Sequence, residues 1–392
     1  MKYCFDSLFL SLVFLSSVTA QAVEVSGRVG AESRFFFDDN ELQSSLFVEP
    51  EFYWASNSGD DSLTLKIFAR YDDLDDDRSH TDIREALWLH VGETWEFRAG
   101  IGKVYWGVTE SNHLVDIINQ TDLVESADGE QKLGQPLLQF TTLQDWGVVD
   151  AFVLPRFRER TFPGSDGRLK GFLPIDSDQA FYQSSKQDEN IDYALRYSHA
   201  VNVFDIGISW FSGTNRDPLL IPTLDAEGAV FLRPYYDQME QFGVDVQATL
   251  GDWLWKLESI YRDDSQRDYS AVTAGFEYTW VGLFDSVVDM GLLSELNYDS
   301  RNNQAPTPLE RDIFMGARFT FNDIQSSELL LGFSQALEDS GSYVGFIEGS
   351  RRLGDAWKLT LDARLFHSKN KNDPVYQFRD DDYASLQLEY YF

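Results

Sequence analysis

The chain has 392 residues, 65 of them acidic and 32 basic, for a formal net charge of −33. That excess leaves no concentrated basic face for phosphates and excludes nucleic acid as a partner. A 15% aromatic content excludes a disordered acidic tail. A helical membrane protein is excluded as well, because no apolar run beyond residue 23 is long enough to span a bilayer.

In chain order, the first feature is an address. Lys2 precedes an apolar stretch over 8–18, too short for a membrane helix but suited to a secretory leader. Ala20-Gln21-Ala22 supplies the small-x-small pattern of a cleavage site. Residues 1–22 are therefore expected to be a signal peptide and 23–392 a single mature domain. The one cysteine, Cys4, falls in the leader, so the exported chain must fold without disulfides, on a large core or in a membrane.

From Val25 onward the sequence alternates at period two. Phe242, Val244, Val246, Ala248 and Leu250 take one face of a strand, and Gly243, Asp245 and Gln247 the other. Trp253, Trp255, Leu257 and Tyr261 oppose Lys256, Glu258, Ile260 and Arg262 in the same way, and Trp357, Leu359, Leu361 and Leu365 oppose Lys358, Asp362 and Arg364. Such segments run about ten residues, the length of a tilted strand across a bilayer. About eighteen strands are predicted, with sixteen as the alternative because 137–142 and 342–351 read ambiguously. Their connections alternate between short, near 58–60, 92–93, 145–147, 199–201, 251–252 and 354–355, and long, at 72–82, 106–136, 155–190, 213–239, 299–311 and 367–382. Short turns on one rim and long loops on the other predict an all-β, antiparallel up-and-down transmembrane barrel, its turns in the periplasm and its loops outside.

Hydrocarbon offers backbone groups no water, so only a closed sheet satisfies every N–H and C=O. Its outward face is then apolar, with aromatics at the headgroups, and Trp95, Trp253, Trp255, Trp280, Trp357 and Tyr390 suit such girdles. The last strand alternates Ala384, Leu386, Leu388 and Tyr390 outward and ends on Phe392. This resembles the C-terminal signature of Gram-negative outer-membrane β-barrels, in which Tyr390 and Phe392 would carry the signal read by the barrel-insertion machinery. Residues 98–107 (RAGIGKVYWG) and 154–164 (LPRFRERTFPG) are similar to segments of large porin-like channels that include the alginate-export type. The barrel resemblance covers nearly all of 23–392. It implies an outer-membrane location and contact with outer-membrane lipid and lipopolysaccharide. Porins often form homotrimers, but no contiguous interface pattern in this sequence demands one.

On this register Arg98, Arg196, Arg262 and Arg318 point inward together with Glu96, Asp192, Asp245, Glu258, Glu277 and Glu295. Ions of both signs would be costly in a dry core, so a water-filled lumen is expected, and a barrel of this strand number has room for it. The wall charges either pair for rigidity or set a transverse field that filters solutes; both readings stay open at this point. The segment 155–190 carries Arg156, Arg158, Arg160, Arg168 and Lys170 among Phe157, Phe162, Phe172 and Phe181. Its length and apolar content predict that it folds into the lumen and narrows it, its cations facing wall carboxylates or an anionic solute. The run Asp72, Asp73, Asp75, Asp76 and Asp77 lacks the glycine and glutamate positions of an EF-hand. It reads as a solvated outer loop that divalent cations could bridge to lipopolysaccharide.

No catalytic pattern stands out. Gly100-x-Gly102-Lys103 lacks the remaining residues of a dinucleotide or phosphate loop, and no Gly-x-Ser-x-Gly occurs. His80, His90, His113, His199 and His367 have no metal-type spacing. Neither a cofactor nor a metal is expected. The reading is a passive channel for small hydrophilic solutes, anions if the arginine-rich segment governs and cations if the overall acidity does. Two alternatives are kept: a barrel plugged by its own loops that serves as adhesin, receptor or structural protein, and an outer-membrane hydrolase, for which His113 with Ser111 and Asp116 is the one local arrangement.

Overall fold

The computed structural model describes residues 23–305, 307 and 309–392; the predicted signal peptide, with Cys4, lies outside the described residues. Eighteen antiparallel strands form one closed sheet. Each pairs with the barrel strand next in sequence, and Glu24–Phe36 closes the cylinder on Tyr383–Tyr391, with Ala31 opposite Leu388. Both ambiguous segments fall on strands, Gln135–Gln144 and Tyr343–Leu353, so the larger of the two predicted counts is the observed one.

The two rims differ as the alternation of connections predicts. On one rim five turns are tight, at 92–94, 145–146, 202–203, 251–252 and 354–356, and the others, at 56–60, 281–288 and 321–327, stay within eight residues. Asn202 (φ 57°) and Gly251 (φ 64°) supply left-handed backbone there, which two-residue hairpins need and most side chains resist. The turn at 202–203 lies slightly later than the hydropathy placed it, because Ala200 and His199 remain paired with Asp205 and Ile206. The opposite rim carries 73–80, 103–134, 155–191, 215–237, 300–310 and 368–382. Within 215–237, Leu219–Leu224 and Val230–Tyr236 form a hairpin, extended by Phe181–Tyr182, that stands outside the barrel sheet.

The outward face is apolar around the whole cylinder. Trp95, Trp253, Trp255, Trp280, Trp357 and Tyr390 are all exposed on it, and all six sit where their strands meet the tight-turn rim. Trp253 stacks on Trp255 at 5.7 Å and Trp357 meets Tyr390 at 5.0 Å. The outward aromatics of the long-loop rim include Tyr71, Tyr193, Tyr261 and Tyr298. An apolar belt between two aromatic rims is the surface a closed sheet presents to a bilayer.

The inward face is not uniformly polar. Phe152, Leu154, Phe211, Ile260 and Ala271 are buried on one part of the wall, packed against Trp106, Val115, Ile117 and Ile118. Those four come from 103–134, which therefore folds into the barrel. Val115 and Ile118 are fully buried, and each stabilises the inward fold by about 1.5–3 kcal/mol.

Candidate functional site

Segment 103–134 leaves the strand Trp95–Gly102 and crosses the lumen, held on its two sides by different chemistry. On one side, wall carboxylates take its backbone. Glu258 Oε1 accepts from Val108 N at 2.7 Å, Thr109 N at 3.0 Å and the Thr109 hydroxyl at 2.7 Å, while Oε2 accepts from Val115 N at 3.1 Å. Glu295 accepts from Glu110 N at 2.9 Å and from Ser111 N and Oγ at 2.8 and 2.7 Å. Both carboxylates are buried, at 0% and 1% exposure, and such charge-assisted bonds are what make a buried ion tolerable. Gly107 permits the approach: its φ is +136°, and a Cβ there would lie 2.7 Å from Glu258 Oε1.

On the other side the segment supplies the carboxylates and the wall the cations. Asp122 bonds Arg84 at 2.5 Å, Glu125 bonds Arg70 at 2.8 Å and Asp128 bonds Arg364 at 2.8 Å. Arg70 and Arg78 share Glu32 at 2.9 Å each, and Arg78 also holds Asp72 at 2.7 Å. Asn119 ties the ends of the segment, accepting from Val104 N at 2.8 Å and donating to the Gly102 and Leu133 carbonyls at 3.0 and 2.8 Å. Bonded to the wall on both flanks, the segment is a fixed constriction.

Beside it the lumen retains a cavity of about 690 Å³. Glu110, Glu125, Asp128 and Glu130 face it from the segment, and Arg28, Arg34, Lys66, Arg70, Arg84 and Arg364 from the wall. Lys103 lines the same space with no carboxylate in contact among the described residues. Burial and the neighbouring Arg84 hold its ammonium below the usual lysine value.

Segment 155–191 covers the outer mouth, whereas the sequence predicted that it would narrow the lumen. The apolar part of the wall is already occupied by Trp106, Val115, Ile117 and Ile118, and the cations of 155–191 find carboxylates at the rim. Arg156 bonds Asp188 of its own segment at 2.5 Å, Arg158 bonds Asp82 at 2.8 Å and Arg160 bonds Asp217 at 2.7 Å. Arg168 reaches Asp39 at 2.7 Å, Glu41 at 3.2 Å and Asp381 at 2.8 Å. The segment springs from between the seventh and eighth barrel strands, and these partners flank the first and last, so it spans the mouth nearly from side to side. Among the described residues Lys170 donates only to the Ser165 carbonyl. The acidic run is likewise not wholly solvated: Asp72 and Asp75 are buried, and Asp75 accepts from Gly164 N at 3.1 Å.

The other predicted inward residues divide between the water path and the space beneath the loops. Arg318 lines the cavity and bonds Glu110 at 2.7 Å. Arg98 bonds Glu96 at 3.1 Å on the wall, and Glu277 lies 3.8 Å from Lys256. Arg196 and Asp245 form a two-pronged pair at 2.7 and 2.8 Å, with the guanidinium over the Trp106 ring. Asp192, fully buried, takes Arg216 at 2.6 Å and Thr214 N at 2.9 Å. Arg262 bonds Gln241 and Asp217, each at 2.8 Å. Glu258, Glu295, Asp245 and Asp192 are thus covered by protein and carry structure. The groups that sequence reading missed are Glu110, Glu125, Asp128 and Glu130, and the one signal in the segment was the apolar run Leu114, Val115, Ile117 and Ile118 in a stretch assigned to an outer loop.

His113 is engaged away from any nucleophile. Its Nδ1 lies 2.9 Å from the Tyr105 hydroxyl and its Nε2 3.1 Å from Glu130, while Ser111 Oγ donates to Glu295. Burial would lower the imidazole, but the bonded Glu130 carboxylate outweighs it and raises His113 above its ordinary value. Burial would raise Glu130, and His113 brings it below its own. A raised histidine contributes stability that is complete below its unfolded value of about 6.5 and is lost as pH rises through the folded one; a depressed glutamate contributes above about 4.5 and is lost as pH falls. The pair therefore holds the segment best between these limits. Amide exchange within 103–134, corrected for intrinsic rates, is expected to be slowest near about pH 5–6 and faster toward alkaline pH. In His113→Asn that dependence is expected to disappear.

The closed antiparallel sheet, the apolar belt and the charged lumen define an outer-membrane β-barrel of porin-like architecture. No family model matches the chain, and no curated protein matches it. Among solved structures, the fold is similar to that of OmpF of Salmonella typhi in complex with daunomycin, with 9% identity over 94% of this chain and 97% of that one and a TM-score of 0.49. A loop-deletion form of OmpT, an outer membrane protein of Vibrio cholerae, has 10% identity over 95% and 99% of the two chains and a TM-score of 0.48. A substituted porin of Rh. blastica has 12% identity over 95% and 100%, with a TM-score of 0.43. These likenesses concern the fold alone.

Proposed function

We propose that the protein is a passive outer-membrane channel for small hydrophilic solutes, exported by residues 1–22 and narrowed by segment 103–134. The observation that carries this reading is the charge-lined cavity of about 690 Å³ beside that segment, a wall of ions that water makes tolerable. Eight cations and ten carboxylates line it. The arginines of 155–191, which leaned toward anions in the sequence, are each paired with a carboxylate, Asp188, Asp82, Asp217 or Asp381, and lie at the mouth, outside the lining of this cavity. A weak preference for cations follows, in a field between the acids of the segment and the arginines of the wall. Tyr390 and Phe392, exposed at the tight-turn rim, support their reading as the insertion signal.

Planar-bilayer recording tests both parts. Discrete conductance steps are expected, with a reversal potential in a KCl gradient of the sign that K⁺ preference gives; Cl⁻ preference would overturn the selectivity. A second reading has one observation in its favour, because 103–134 crosses the lumen and 155–191 crosses the mouth. A barrel closed by its own loops, serving as a receptor or structural protein, would give no steps at all.

A further inference from the structure

Above segment 103–134 lies a second cavity of about 670 Å³, roofed by residues from 155–191 and 215–237 and walled by the strands Trp253–Asp264, Asp268–Trp280 and Asp289–Asp299. Its charge runs against that of the chain. Lys132, Arg160, Lys170, Arg216, Arg262 and Arg301 line it, against only three carboxylates, Asp116, Asp217 and Asp299. Lys132 is matched by Asp116 at 3.4 Å, Arg301 by Asp299 at 2.6 Å, and Arg216 by Asp192 at 2.6 Å from outside the lining. Two positive charges are left over. One arises because Asp217 alone serves both Arg160 and Arg262, at 2.7 and 2.8 Å. The other is Lys170, bonded among the described residues only to a carbonyl.

The donors are available as well as the charge. Arg160 Nη1, Arg262 Nη2 and Arg301 Nη1 make no hydrogen bond among the described residues, their other nitrogens being engaged with Gln120, Asp217, Gln241 and Asp299. Much of the remaining lining is apolar, including Phe162, Phe172, Leu173, Leu220 and Phe378. Arg301 lies over the Tyr269 ring at 3.5 Å, so charge and aromatic surface meet at one point. Burial would raise Asp217, but Arg160 and Arg262 hold it far below the carboxylate range, so at ordinary pH it offsets one of the two guanidiniums and leaves the other over.

We infer that this outer chamber binds small organic anions that join a carboxylate to a ring or short hydrocarbon body. The carboxylate takes the spare guanidinium N–H groups and Lys170, where charge-assisted bonds are strongest, and the body lies against the phenyl and leucyl surface, as in apolar sites oriented by a few polar groups. A neutral ring compound lacks the charge, acetate lacks the body, and an aromatic amine carries the wrong sign. The inference rests on the channel reading only for the direction of traffic; binding itself does not require conductance.

Benzoate is the probe. Calorimetric titration of the protein in lipid nanodiscs is expected to give saturable binding of benzoate, with acetate and benzyl alcohol at least about tenfold weaker. Lys170→Glu and Arg301→Gln are each expected to weaken benzoate about tenfold. Lys170 is exposed, so its variant retains the fold, which heat-modifiable migration of the barrel verifies. Arg351→Gln, near the opposite rim with a 53% exposed side chain, is expected to bind as the parent does. Absence of saturable binding, equal binding of benzyl alcohol, or indifference to both variants would overturn the inference. Conductance without benzoate binding removes the chamber and leaves the channel, whereas benzoate binding without conductance does the reverse.

Discussion

Glu258→Gln is expected to loosen segment 103–134 and raise single-channel conductance severalfold. The parent carboxylate faces N–H or O–H donors on both oxygens, from Val108, Thr109 and Val115. A glutamine turns one of those oxygens into an NH2 group, and no flip helps because donors wait on either side. Leaving buried donors unmatched costs about 1–3 kcal/mol each, and loss of the charge adds to it, so about 3 kcal/mol of local stability is removed. Amide exchange through 103–116 should then accelerate about a hundredfold while the barrel strands keep their protection. Unchanged exchange and conductance would mean that Trp106, Val115, Ile117 and Ile118 hold the segment without the carboxylates.

Arg168→Gln is expected to release the cover over the mouth. One guanidinium joins Asp39, Glu41 and Asp381, donates to the Asp380 carbonyl at 2.7 Å, and lies over the Phe36 ring at 4.8 Å. Without it, three carboxylates face one another across the far rim. Each exposed pair alone is worth about 0–1 kcal/mol, so the network contributes about 2 kcal/mol. Trypsin should cut within 156–170 of the variant in intact outer membranes about thirtyfold faster than in the parent. High salt should bring the parent toward the same rate, because rim charges are screened. Equal rates under both conditions would place the hold on the buried side chains of Phe157, Phe162 and Leu169.

The cylinder was legible in the sequence because lipid leaves the chain little choice. Period-two alternation decides which side chains face outward, and Trp253, Trp255 and Trp357 lie outward as that alternation requires. Turn positions were slightly less legible, since Asn202 competes with the strand signal of His199 and Ala200. Which loop enters the barrel was not legible. Entry depends on complementarity between Trp106 and Val115 on one segment and Phe211, Ile260 and Ala271 on strands far away in sequence. Ile260 already broke the polar inward pattern, and that exception marks where the wall receives the segment. Glu258 and Glu295 stood on the inward face of the alternation, but their partners are backbone N–H groups, which no residue identity announces. Which carboxylates the arginines of 155–191 meet was not legible for a related reason, because Asp39, Asp82 and Asp381 come from distant connections and strands.

Cysteine chemistry at Ser126 tests the narrowed lumen most directly. Ser126 lines the cavity beside the constriction, and the chain's one native cysteine is Cys4. During a planar-bilayer recording of Ser126→Cys, a charged methanethiosulfonate added to the bath is predicted to lower the current in a single step per channel. A current unaffected by a label that mass spectrometry shows to be attached would contradict the account.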